Sequence, residues 1–179
     1  MTENRDHTPF IVAIDGTAAS GKGTLARKLA EILGFSYLDT GKLYRHIGYY
    51  IIKQGDDPDD ETVAVNAARH LMDGLDPQSL RDPALETDEA GASASKVARF
   101  EAVRTVLRQF QRDFAGNKDH KGAVLDGRDI GTVICPAADI KFFVTAKTAI
   151  RAERRHKELQ SKGFSVTYDA GLGDMRERD

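Results

Sequence analysis

"FIVAIDGTAASGKGTLARKLAEILG", Phe10 to Gly34, decides how the chain is read. Its first five residues, Phe10 to Ile14, are apolar and partly β-branched with no polar interruption, which predicts a strand buried on both faces of a parallel sheet. Glycine then breaks the run, and Gly16 to Thr24 fits G-x-x-x-x-G-K, with Gly23 and Thr24 where the usual pattern has Ser or Thr directly after the lysine. Glycines let backbone N–H groups turn inward, the following helix start adds positive partial charge, and Lys22 supplies a mobile cation. The natural ligand is a polyphosphate. An ordinary glycine-rich turn is the plainer alternative, disfavoured because strand, loop, lysine and helix occur in the required order. Leu25, Leu29, Ile32 and Leu33 recur at helical spacing, and Gly34 stands where a helix C-terminal glycine would.

With 179 residues, 40% hydrophobic and 30% charged, the chain is long enough for one main domain or a core with a modest insert. A formal net charge of -2 gives no overall basic field, so neither nucleic-acid nor membrane-surface binding has electrostatic support. The single cysteine, Cys135, rules out an internal disulfide framework and reads as a small buried residue in a reducing compartment. The start, "MTENRDHTPF", holds no apolar segment for export or membrane spanning, so the expectation is a cytoplasmic protein.

Further along, "FSYL" reads as a second strand and "DTGKLYRHIGYYIIK" as a helix started by Asp39 or Thr40. Between Gly55 and Gly91 the chain turns rich in Asp, Pro and Gly, with "ETVAVNAARHLM" as one helix. A helical stretch runs from about Ala92 to Phe114, followed by the turn "AGNKDHKG" and a strand "AVL" ending in "DGRD". "IKFFVTA" is a further strand and "KTAIRAERRHKELQSKG" a charged helix. Strands alternating with helices predict an α/β fold, a parallel sheet covered by helices on both sides. The expected division is a core of residues 1–55 and 115–179, with a lid near 151–170, and an inserted, mostly helical subdomain of residues 56–114.

Asp126 ends an apolar strand. At the carboxyl end of a parallel strand it faces the ligand crevice, beside a bound metal, or it is a turn-forming residue. Arg151, Arg154 and Arg155 share a helical face, where like charges repel unless Glu153 and Glu158 or a phosphoryl group compensates them. "GNKDHK" lacks the Asn-Lys-x-Asp spacing that reads guanine and is a plain turn. Histidines and cysteine show no zinc spacing, and no serine-nucleophile motif occurs.

Together, "IDGTAASGKGTLARKLAEILGF", "YLDTGKLYR", "ASKVARFEAVRTVLRQFQRDF", "LDGRDIGTVICPAADIKFFVTA", "RAERRHKELQSKGFSV" and "MRERD" resemble the bacterial cytidylate kinases, a nucleoside monophosphate kinase family of P-loop proteins. In such kinases a glycine after the loop lysine is usual. The resemblance implies transfer of the ATP γ-phosphoryl group to CMP or dCMP with Mg²⁺, by a monomer with a core, a monophosphate-binding insert and a short lid. It implies that Gly16, Thr17, Ala18, Ala19, Ser20, Gly21, Lys22, Gly23 and Thr24 bind ATP, with Thr24 and Asp126 near the metal. Arg45, Arg128 and Arg178 would grip the acceptor phosphate, Thr40 and Tyr44 would line the acceptor, and Ser95, Arg104 and Asp129 would read cytosine. Lys22, Arg128, Arg151, Arg154 and Arg155 would stabilise charge on the moving group. A carboxylate at Asp129 suits the amino group of cytosine and rejects the carbonyl of uracil.

Ser95 and Arg104 are nine residues apart, which at ~100° per residue puts them on opposite faces of one unbroken helix. Reading one base with both requires a break near Arg99 to Glu101. Against the family it resembles, this chain has a short insert that lacks a β-rich portion found in some members, and the family continues past "MRERD" with an acid, an arginine, a strand and a helix. The expectation for this chain is an uncovered sheet edge and weak or absent turnover. A nucleotide-binding form without turnover, or a kinase for another monophosphate, are the rival readings.

Overall fold

The computed structural model describes residues 8–161. Its described residues form two compact units, one from Leu38 to Asp119 and the other from Phe10 to Tyr37 together with the chain from His120 onward.

The second unit is built on a sheet with strand order β2-β3-β1-β4. Strand β1 (Phe10–Gly16) runs parallel to β3 (Gly122–Gly127) on one side and to β4 (Ile140–Val144) on the other. Strand β2 spans Ser36–Asp39. Every residue of β3 is buried, as its uninterrupted apolar run requires of a central strand. Helix α1 (Lys22–Leu33) packs its Ala26 and Ala30 into a cluster with Val12, Ile14 and Val124. Of the residues that gave the helical spacing, Leu29 packs against this cluster, whereas Leu25 is exposed and Ile32 is 81% exposed. Alanines four residues apart bring the helix axis close to the sheet, and the larger residues flank that contact. Gly34 closes the helix with a left-handed backbone, its N–H reaching the Glu31 carbonyl. Four of the five β4 residues are exposed, Phe142 and Phe143 among them.

In the first unit, α2 (Thr40–Gln54) starts at Asp39, whose side chain accepts the Lys42 N–H. It packs against α4 (Asp88–Val97) at Gly48, where an added Cβ would lie 2.5 Å from the Ser93 hydroxyl. Helix α3 (Glu61–Met72) packs on α2 and on α5 (Glu101–Ala115). Two 3₁₀ turns, Pro77–Arg81 and Pro83–Glu86, join α3 to α4 and are each opened by an aspartate and a proline. Helix α2 belongs to this unit.

The helix expected over 92–114 is two helices with a break at 98–100, where the base-reading assignment requires one. The Arg104 guanidinium fills that break, its Nη1 donating to the carbonyls of Ala98 at 2.6 Å and Arg99 at 2.9 Å. Nearby, Asp59 pairs with Lys96 at 2.6 Å and with Arg99, tying the end of α4 to the start of α3. The segment Asn117–Asp119 is a turn closed by the Asn117 side chain accepting the Asp119 N–H at 3.0 Å, in keeping with a plain turn there.

Candidate active site

The carboxyl ends of β1 and β3 lie side by side, with Ile14 in register with Asp126 and Asp15 with Gly127. Both strands therefore deliver their following loops to the same edge of the sheet. After β1 the loop Thr17–Gly21 leads into α1. Gly21 stands at the N-cap with φ 95, a left-handed conformation that disfavours any residue with a Cβ. No side chain caps the helix and no acidic residue lies in its first turn. Its first N–H groups and its positive dipole end are left to an external anion. The hydroxyls of Thr17 and Ser20 are buried without a hydrogen-bond partner. Unsatisfied buried hydroxyls cost free energy unless a ligand supplies the partner, so this loop suits phosphate oxygens.

Lys22 and Asp126 face each other, with Nζ and Oδ1 3.7 Å apart. Asp126 is 3% exposed and its Oδ2 accepts a hydrogen bond from the Tyr37 hydroxyl at 3.0 Å. Gly23 now has a steric reason: a Cβ there would sit 3.1 Å from Asp126 Oδ2. A serine directly after the lysine would press on the carboxylate, and the hydroxyl residue comes one place later, at the exposed Thr24. Hard oxygen donors, one buried carboxylate and one exposed hydroxyl, fit Mg²⁺, which takes few protein ligands and keeps sites for phosphate oxygens and water.

Helix α6 (Thr148–Ser161) brings two of its arginines onto the same loop. Arg151 is 4% exposed and donates to the carbonyls of Ala146 at 3.1 Å and Ala18 at 3.4 Å. Arg154 donates to the Ser20 carbonyl at 2.9 Å. Glu153, offered by the sequence as their compensating acid, pairs instead with Lys157 at 2.7 Å. That hydrogen bond holds the Glu153 carboxyl below its ordinary range. The side chain of Arg155, the whole of Arg178, and the part of the expected lid beyond 161 lie outside the described residues.

Asp15 was missed by the sequence reading, although "FIVAID" displays it at the end of β1. Its two carboxylate oxygens accept the N–H groups of Ile130 and Gly131, each at 2.8 Å. This clamp fixes the π turn Ile130–Ile134 that follows Arg128 and Asp129, both of them exposed. Asp15→Ala would strand two buried amides without an acceptor. At ~1–3 kcal/mol for each orphaned group, the expected loss is about 2–6 kcal/mol in urea unfolding. A loss below about 1 kcal/mol would contradict the clamp.

The remaining acceptor candidates belong to the other unit. Thr40 opens α2 and is 5% exposed, whereas Tyr44 and Arg45 are half-buried on the same helix. Arg45 donates from Nη1 to the carbonyls of Leu85 at 2.8 Å and Thr87 at 3.1 Å. Ser95 is exposed and returns a hydrogen bond to the Gly91 carbonyl at 3.1 Å. Arg104 is held by Ala98, Arg99 and Glu101, and its hydrogen bond to Glu101, followed by that of Arg108, keeps the Glu101 carboxyl below its ordinary range. No group of three or more metal-binding side chains occurs among the described residues, and no described helix is long and apolar enough to cross a membrane.

The cytidylate kinase family model matches residues 12–179. A cytidylate kinase of Rhodospirillum rubrum is 57% identical over 172 residues, covering 95% of this chain and 79% of that protein. One of Paramagnetospirillum magneticum is 56% identical and covers 94% of this chain and 79% of its own length. One of Bradyrhizobium diazoefficiens is 50% identical, covering 95% of this chain and 77% of that protein. Among solved structures, TT1252 from Thermus thermophilus shares the fold, with a TM-score of 0.53 at 16% identity over 97% of this chain and 82% of that one. With half or more of its residues matching these relatives along almost its whole length, the chain belongs to the cytidylate kinase family.

Proposed function

We propose that this chain transfers the γ-phosphoryl group of ATP to CMP or dCMP, giving ADP with CDP or dCDP. The observation that carries the reading is the uncapped start of α1, with the orphaned Thr17 and Ser20 hydroxyls beside the Lys22–Asp126 pair, in a chain of this family. The amides of Gly16 to Thr24 bind the ATP phosphates, and Lys22 leaves its loose contact with Asp126 to follow the γ-phosphoryl oxygens. When bound, Mg²⁺ held by Thr24 and Asp126 supplies positive charge to the β- and γ-phosphates. Arg151 and Arg154, already on the loop, stabilise charge that builds on the moving group, in a role shared with Arg155 and Arg128.

The acceptor phosphate falls to Arg45, Arg128 and Arg178, whose guanidinium groups match a phosphate in two-point geometry. Thr40 and Tyr44 take the rest of the nucleotide, and Ser95, Arg104 and Asp129 take the base. Positioning and electrostatics supply most of this chemistry, so no general base is required. The same reading takes the enzyme as a cytoplasmic monomer acting on small molecules, without nucleic acid or membrane. With ATP labelled at the γ-phosphorus, the label should appear in CDP when CMP is present. Label released only as inorganic phosphate, whether or not CMP is present, would overturn the transfer.

A further inference from the structure

Gly91 lies inside α4, where a glycine weakens a helix and ordinarily has no place. The space its missing side chain leaves is occupied. A Cβ built there would meet Arg45 Nη2 at 3.2 Å, Nη1 at 3.4 Å and Cζ at 3.5 Å, so the Nη1–Nη2 edge of the guanidinium lies close against Gly91. The same guanidinium is held at its edge by Nη1, which donates to the Leu85 carbonyl at 2.8 Å and to the Thr87 carbonyl at 3.1 Å. Those two carbonyls are themselves fixed. Leu85 is buried in the 3₁₀ turn Pro83–Glu86, and Thr87 is the N-cap of α4, its side chain accepting the Ala90 N–H. Two fixed acceptors for Nη1 and a glycine close against the same edge hold the group where it lies.

From this we infer that Gly91 is a positioning residue for acceptor binding: it leaves room for the Arg45 guanidinium to rest on α4, with Nη1 tied down, in the place from which it meets the phosphate of the nucleoside monophosphate. The inference rests on the reading of Arg45 as a ligand of that phosphate. An arginine is long and costs rotamer entropy to fix, so a preset guanidinium binds its anion more tightly than a free one. A methyl at position 91 would require the guanidinium to give by a few tenths of an ångström. Its far end can do so without disturbing the backbone, and alanine is the better helix former. The fold is therefore spared while the pose is lost.

Gly91→Ala should raise the KM for CMP by about three- to tenfold, leave the KM for ATP unchanged, and keep Tm at or above that of the parent. Arg45→Ala is measured beside it, with the double variant. If Arg45→Ala leaves the KM for CMP at the parent value, the reading of Arg45 as a phosphate ligand falls. If Arg45→Ala raises it and Gly91→Ala does not, the positioning role falls and the ligand reading stands. The double variant should match Arg45→Ala alone, because a residue acting through Arg45 has nothing left to position. A further rise in KM on adding Gly91→Ala to Arg45→Ala would also overturn the inference.

Discussion

Lys22→Met should lower the rate of CDP formation at saturating ATP and CMP by about two to three orders of magnitude, the range for losing a donor aimed at developing charge. Lys22 sits at the first turn of an uncapped helix, and its ammonium has only a loose contact with Asp126, at 3.7 Å. A methionine keeps the unbranched stem and removes the cation, so packing at the start of α1 is retained. Asp126 keeps its hydrogen bond from Tyr37, which limits the cost of leaving that buried carboxylate without the lysine. Steady-state kinetics alongside thermal unfolding separates the two effects. A fall of less than tenfold would mean that the lysine does not follow the transferred group.

Asp126→Asn is expected to cost about two orders of magnitude in the same assay and to raise the Mg²⁺ concentration needed for half-maximal rate. Asparagine has the same shape and can still accept from the Tyr37 hydroxyl through its carbonyl oxygen, so the strand end should stay in place. What it lacks is the negative charge that faces Lys22 and would hold the cation. Equal turnover with an unchanged Mg²⁺ requirement would return Asp126 to the turn-forming role that the sequence also allowed.

Much of this was legible in the chain itself. "FIVAID" followed by glycines and a lysine predicted β1, the phosphate loop and α1, because a buried parallel strand and a phosphate loop both leave simple patterns. The break between α4 and α5 was expected once the resemblance assigned Ser95 and Arg104, nine residues apart, to one base, and a break is present at 98–100. Other features were hidden for physical reasons. The face of α1 that meets the sheet is made of Ala26 and Ala30, and hydrophobic periodicity counts large residues, so it selected Leu25 and Ile32 instead. Asp15 reads as an acid at the end of an apolar run, and only the fold brings the Ile130 and Gly131 amides to it from more than a hundred residues away. Tyr37 meets one oxygen of Asp126 and Gly91 lies against the Arg45 guanidinium, contacts that no local pattern encodes. The side of the phosphate loop against which α6 lies was likewise invisible, although the arginines that reach it were not.

The most direct test of the whole account is product formation by this chain with Mg-ATP and, in parallel, CMP, dCMP, UMP and AMP as acceptors. The account predicts diphosphate formation from CMP and dCMP, with UMP and AMP poorer by at least about tenfold, as an unmatched base edge would make them. Equal turnover of all four acceptors, or ADP release that ignores which one is present, would contradict it.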